Sequence, residues 1–327
     1  MANRKKKKNR VGALTAVLCV MISLALAAGV VFGLYYYGVS RPAPASIRDR
    51  AALSDISVEL ASPAQIVTGE APVPAKAELP EAAVLEEYGL EEILYDEDGL
   101  MVARIRGKRY VGFIAVVDDP LRLTLGKCPW FGEGAYGRTV KQMADEAGAV
   151  LAINGGGFSD PNGEGHGGSP TGNVIYEGKM LMGYWSPTVG IDAQGKLHVG
   201  DLNGTGCLEL GLQWAVSYGP TLVKDGEICS RLDNSHGEPR TAIGQREDGA
   251  IVIVVLQGRQ VQALGVTCRE LAQIMLGYGC INASNLDGGA SSDIYFQGEY
   301  LNVCNTSGGP RPIPTSVLVM PAGFGRG

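Results

Sequence analysis

The sequence predicts an α+β fold: a mixed, largely antiparallel β-sheet core with a few helices packed on it. Three observations lead there. Glycine is abundant, 47 of 327 residues, which favours turns over long helices. Short apolar runs flank glycine-containing turns through the second half of the chain, a hairpin signature. Few segments carry a helix-start signal followed by an apolar stripe; the capping boxes Thr139-x-x-Gln142 and Thr267-x-x-Glu270 do.

The chain begins differently. Arg4, Lys5, Lys6, Lys7, Lys8 and Arg10 make residues 1–10 a basic tail. Val11 to Tyr37 carries no charge, and about 20 apolar residues suffice to span a bilayer as helix. Residues 11–37 therefore read as one transmembrane anchor, with Tyr35, Tyr36 and Tyr37 at the headgroup level and the basic tail on the cytoplasmic side. A cleavable signal peptide ending near Ala25-Leu26-Ala27 is the rival, but the apolar run continues past it. Cys19 follows Leu18, not a small residue, which argues against a lipoprotein. These features place the rest of the chain outside the cell, held to the cell membrane by a single pass.

Residues 38–80 hold Pro42, Pro44, Pro63, Pro72, Pro74 and Pro80 among alanines. That composition favours an extended stalk. The globular domain is expected at 81–327. Without the six basic residues of the tail, 22 basic residues face 34 acidic ones, a formal charge of −12. Nucleic acid is excluded as the main partner, and an anionic substrate would need local arginines. Six cysteines (128, 207, 229, 268, 280 and 304) lie in this domain with no C-x-x-C spacing, so disulfides and free thiols both remain open.

Within the domain, Glu81 to Tyr95 reads as a short helix. Strands are expected at Leu100–Ile105, Tyr110–Val117 and Leu121–Leu125. A helix opens at Thr139, with Val140, Met143, Ala144 and Ala147 on one face. Gly148 ends it, and the strand Val150–Ile153 leads into Asn154-Gly155-Gly156-Gly157. Hairpins follow around Glu177-Gly178, Gln194-Gly195, Asp225-Gly226 and Asp248-Gly249. The Thr267 helix carries Leu271, Ile274, Met275 and Tyr278 on its apolar stripe, ends at Gly279, and gives way to an apolar segment reaching Asp287-Gly288-Gly289. The last strand is Thr315–Met320. Two helix–glycine–strand units each finish in a polar residue and glycines. We expect Asn154 and Asp287 to converge on one site.

Asp287 is the leading candidate for chemistry, with Asp293 second. A carboxylate beside flexible glycines and the hydroxyls of Ser291 and Ser292 suits an oxygen-rich substrate; a plain strand-end turn is the alternative. Arg240, before Thr241, and Arg311, held between Pro310 and Pro312, offer planar forks that fit phosphate. A surface salt bridge is the alternative for each. His166 lies in a glycine-rich loop where substrate could touch it, His236 in another, and His198 on a strand. No H-x-x-H, H-E-x-x-H, G-x-S-x-G or P-loop pattern occurs, so no metal, cofactor or serine nucleophile is expected.

Five segments occur in order: A-I-N-G-G-G-F at 152–158, G-S-P-x-G at 168–172, Y-G-P-T-L-V-K-D-G at 218–226, P-R-T-A-I-G at 239–244 and N-L-D-G-G-A-S-S at 285–292. Together they resemble the phosphodiester glycosidase family over about residues 100–320. Ala290 stands where that family more often has a third glycine, and Glu238 where a histidine is common. The resemblance implies a hydrolase acting on a carbohydrate phosphodiester. With the anchor, it implies a cell-surface glycan or exopolysaccharide as substrate. It extends the site to Asn154, Gly155, Gly156, Arg240, Thr241, Gly288, Gly289, Ser291, Ser292 and Arg311, with Asp287 and Asp293 as catalytic candidates. The chemistry fits: the phosphate leaving group has a second pKa near ~6, so it needs its charge held more than it needs an acid. A glycan-binding module without catalysis and a glycosyl transferase are the other classes compatible with the same residues.

Overall fold

The computed structural model describes residues 88–324 apart from 133, 162–165, 262, 305 and 307. The expected tail, anchor and stalk lie outside the described residues. No described helix is long and apolar enough to cross a membrane.

Three antiparallel sheets build the domain. The largest has eight strands. It runs from β1 (Leu90–Glu97), β2 (Leu100–Arg106) and β3 (Val111–Val117) through β14 (Ile251–Leu256), β13 (Arg240–Arg246) and β15 (Cys280–Asn285) to β11 (Thr221–Lys224) and β12 (Glu227–Ile228). A second sheet is ordered β7 (Lys179–Met182), β6 (Val174–Tyr176), β10 (Leu212–Ser217), β8 (Ser186–Asp192), β9 (Leu197–Leu202). The third is ordered β17 (Glu299–Tyr300), β16 (Ile294–Phe296), β5 (Leu151–Asn154), β18 (Thr315–Val319), β4 (Leu123–Lys127).

Strand alternation decides what each face buries. On β3, Phe113, Ala115 and Val117 enter the core shared by the three sheets, while Ile114 and Val116 face the opposite side of the large sheet. On β14, Ile251, Ile253 and Val255 divide from Val252, Val254 and Leu256 in the same way. With both faces covered, these central strands read as unbroken apolar runs. Helix α3 (Cys268–Gly277) covers the outer face of the large sheet through Leu271, Ala272, Ile274 and Met275. Helix α1 (Val140–Ala147) covers the third sheet through Val140, Met143 and Ala144. The short α2 (Gly204–Glu209) packs Cys207 against Ile175, Leu212 and Ala215.

Both capping boxes form in full. The Thr139 and Thr267 hydroxyls accept from the amides of Gln142 and Glu270, whose side chains return the bond. At the Asp225-Gly226 turn both residues take positive φ, 50° and 80°, as a two-residue type I′ hairpin requires.

Several expectations are corrected. Every strand pairing among the described residues is antiparallel, so the sheets are not mixed. The segment expected as helix from Glu81 is, over Leu90–Glu97, strand β1, paired along β2. Its Glu91 and Glu92 pair across the ladder with Arg106 and Arg104, a register no helix offers. Residues 120–122 form a 3-10 turn before β4. Helix α2, capped by Asn203 onto the Gly206 amide, was not anticipated, because its glycines hide its helical character. All six cysteines of the domain are free thiols, those at 128, 207, 268 and 280 buried.

Candidate active site

The site lies where β5, β10, β13 and β15 end together. Asn154, the last residue of β5, is fully buried and ties these ends to one another. Its Nδ2 donates to the Asp287 carbonyl oxygen at 2.6 Å. Its Oδ1 accepts from Thr241 Oγ1 at 2.8 Å and from the Asp293 amide at 3.2 Å. The Asp287 amide donates to Gly155 O at 3.2 Å and the Leu286 amide to Thr241 O at 2.8 Å. The expected convergence of Asn154 and Asp287 is therefore direct contact. Just after β10, Gly219 exchanges bonds with Asn285: Asn285 Nδ2 donates to Gly219 O at 2.7 Å, and the Gly219 amide donates to Asn285 O at 3.2 Å.

Asp287 is half-buried. Burial pushes its carboxyl above the usual carboxylate range. The Ser291 hydroxyl, the Gly288 amide, the positive charge of Arg311 and the Tyr218 hydroxyl pull it back down. Tyr218 is itself held above the ordinary phenol range, by burial first and then by the negative charge of Asp287, with Arg240 opposing. One carboxylate, one phenol and two guanidinium groups thus share a small volume.

The two arginines differ. Arg240 donates from Nε to Val266 O at 3.1 Å, which orients its terminal fork. A Cβ on Gly288 would lie 3.9 Å from Arg240 Cα and 4.0 Å from its Cδ, so the Arg240 side chain runs beside the Asp287 loop. Among the described residues no carboxylate pairs with Arg240. Arg311 is engaged: it forms an ion pair with Asp160, lies over the Phe158 ring at 5.0 Å, and places Nη1 3.5 Å from Ser291 Oγ.

Other candidates prove to be framework. The amides of Gly155 and Gly156 donate to Thr315 O and Thr315 Oγ1 at 3.0 and 3.1 Å. A Cβ on Gly155 would collide with the Thr315 hydroxyl at 2.6 Å, and one on Gly156 with Ser217 O at 2.8 Å. These glycines let strands approach and offer no donors to phosphate. The amides of Gly288, Gly289, Ser291 and Ser292 are likewise engaged, with Asp287 Oδ1, Pro239 O, Gly288 O and Gly289 O. Thr241 and Ser292 are enclosed. Asp293, the second catalytic candidate, is enclosed: it is 2 % exposed and its carboxyl meets Asn302 and Cys304, with burial raising it to about 6.

His166 stacks on Tyr136 at 4.3 Å, His236 accepts or donates at Ser235 Oγ, and His198 on β9 pairs with Asp192 at 2.8 Å. Sequence reasoning missed Tyr218, Phe158 and Asp160. Tyr218 stood inside a quoted motif, but only the bond to Asp287 gives it a role. Asp160 comes from a loop with no periodic signal.

The model of the phosphodiester glycosidase family matches residues 147–320, more than half of the chain, including Asn154, Tyr218, Arg240, Asp287 and Arg311. The chain belongs to this family. Among curated relatives, a SPbeta prophage-derived uncharacterized protein, YomE, of Bacillus subtilis (strain 168) is 33% identical over 173 residues, 50% of this chain and 27% of its own. The mouse N-acetylglucosamine-1-phosphodiester alpha-N-acetylglucosaminidase is 26% identical over 223 residues, 60% of this chain and 42% of its own. The chain spans less than half the length of the curated relatives it matches. The fold is that of the zebrafish N-acetylglucosamine-1-phosphodiester alpha-N-acetylglucosaminidase catalytic domain, with a TM-score of 0.57 at 22% identity, covering 76% of this chain and 97% of that one. A hypothetical protein from Synechocystis aligns at a TM-score of 0.53 and 15% identity over 68% of this chain and 62% of its own.

Proposed function

We propose that this phosphodiester glycosidase hydrolyses a sugar 1-phosphodiester in a cell-surface glycan or exopolysaccharide. Residues 11–37 anchor it in the cell membrane and the domain works outside. The observation that carries the reading is Asp287, half-buried between Ser291, Tyr218 and the Gly288 amide, with Arg240, which pairs with no carboxylate among the described residues, beside its loop. The alpha-N-acetylglucosaminidase activity in the mouse relative's name belongs to that protein; here it supports the bond class.

The bond cleaved joins the anomeric carbon to a phosphate oxygen. Its electron pair leaves with the phosphate, which departs as a phosphomonoester and needs little proton transfer. Arg240 holds the charge that builds on that phosphate. The anomeric carbon becomes oxocarbenium-like and is captured by Asp287 or by a water that Asp287 deprotonates. Tyr218 and Ser291 fix the carboxylate's orientation in either case.

The test is direct. The full chain is incubated with a sugar 1-phosphodiester, and the phosphomonoester and free sugar are followed by NMR. Formation of both supports the proposal, and the anomer formed first reports retention through Asp287 as nucleophile or inversion through Asp287 as base. Binding without turnover would make the chain a glycan-binding module, and products carrying an added acceptor alcohol in place of free sugar would make it a transferase.

A further inference from the structure

The five residues from Asp287 to Ser291 are met by a third arginine. Arg240 begins beside Gly288 and Arg311 reaches Ser291. Arg259 faces Gly289: a Cβ there would sit 3.3 Å from Nη2, 3.8 Å from Cζ and 3.9 Å from Nη1. Arg259 uses Nε for Glu238 Oε2 at 2.7 Å, which leaves its terminal edge free of that bond and beside the loop that carries Asp287, with Nη2 nearest. Its side chain is 54% exposed, which puts that edge at the rim.

The placement is built. Arg259 has φ of +58°, a backbone state that a non-glycine residue keeps only where its surroundings impose it. The turn beyond it closes by exchanged bonds between Gln260 and Ala263 at 2.9 and 3.1 Å. Glu238 and Val266 exchange bonds at 3.1 Å each, locking the turn against the segment that leads into Arg240. Arg259 and Arg240 are thus held at a fixed separation along one edge of the same loop, in a domain that is otherwise acidic.

We propose that Arg259 reads a second anionic group on the substrate. The preferred substrate is then a chain of sugars joined by successive phosphodiesters, with one linkage at Asp287 and Arg240 and the neighbouring linkage at Arg259. This rests on the phosphodiester glycosidase reading of the same site and names its substrate class. A guanidinium takes a phosphate on its terminal edge through two N–H donors, while Glu238 holds the other edge.

The test compares three synthetic substrates on the full chain: one sugar 1-phosphodiester, the same unit extended by a second sugar phosphodiester, and the same unit extended by a neutral sugar. The ratio of kcat/KM for the doubly anionic over the neutral extension is the readout. In Arg259→Gln we expect that ratio to fall about tenfold, and in Glu238→Gln, which releases the guanidinium, to rise. Salt near 1 M, where the screening length is about 3 Å, should shrink the wild-type preference. An unchanged ratio in both variants, or an equal loss on the neutral extension, would overturn the proposal. If the wild type turns over none of the three, the catalytic reading fails on its own account. Calorimetric binding of the doubly anionic compound then decides: weaker binding by Arg259→Gln supports the subsite and equal binding overturns it.

Discussion

The side-chain amide of Asn154 holds the backbone carbonyl of Asp287 at 2.6 Å, although 133 positions of sequence separate them. That bond, with the Asp287 amide on Gly155 O, fixes the Asp287 backbone from both sides. The carboxylate is left to the Ser291, Gly288 and Tyr218 donors. Backbone rigidity and side-chain chemistry are supplied by different partners, so they can be perturbed separately.

Asp287→Asn removes charge while keeping size and the bond from the Gly288 amide. Turnover of a sugar 1-phosphodiester should fall by roughly 10²–10⁴, the range for a lost acid–base group, with substrate affinity and Tm near wild type. A variant that keeps its activity would make Asp287 a turn residue.

Arg240→Ala should weaken phosphodiester binding about ten- to a hundredfold, the equivalent of about 1.5–3 kcal/mol for a charge-assisted hydrogen bond, with little loss of stability. Arg311→Ala should do less to binding and more to Tm, because it removes the ion-pair partner of the Asp160 carboxylate, whose side chain is 18% exposed. The double variant Arg311→Ala, Asp160→Asn should recover much of that Tm. Equal Tm losses in the single and double variants would show that the ion pair does not stabilise the fold.

Asp293 predicts a pH dependence of stability. Its folded carboxyl is raised by burial to about 6, while an unfolded aspartate titrates near ~3.9. The folded state keeps the proton between these values and the unfolded chain does not. The contribution is complete below ~4 and lost as pH rises through about 6, on the order of 2–3 kcal/mol in all. Asp293→Asn should match wild-type Tm near pH 4 and exceed it by a few degrees at pH 7, with activity retained. A constant Tm difference across that window would contradict the assignment.

The basic tail and the tyrosines at 35–37 predict topology. Protease added to intact cells should remove the domain and leave the N-terminus inside. A domain protected until lysis would place it on the other side of the membrane.

The sheet-rich architecture was legible because its signals are local. The Asp225-Gly226 turn, both Thr capping boxes and the run Ile251–Leu256 each carry their own cause within a few residues. β1 was not legible, since its helix-like spacing of Leu and Glu is overridden by pairing with β2. In the site, Asp287 and Arg240 were visible as polar residues set among turn signals. What could not be read was which groups face substrate. Gly155 and Gly156 look like a ligand cradle until Thr315, about 160 positions away, occupies their amides, and Asp293 looks equivalent to Asp287 until burial against Asn302 encloses it.

The match to the family spans residues 147–320, but that span is not a structural module. A polypeptide trimmed to it would lose β3, which zips along the whole of β14 from Ile251 to Leu256, and β4, which flanks β18. Two apolar strands would become open edges, free to pair with any neighbouring molecule. Soluble production of this domain therefore depends on retaining the strands upstream of the family's recognisable sequence, at least from Leu100 onward.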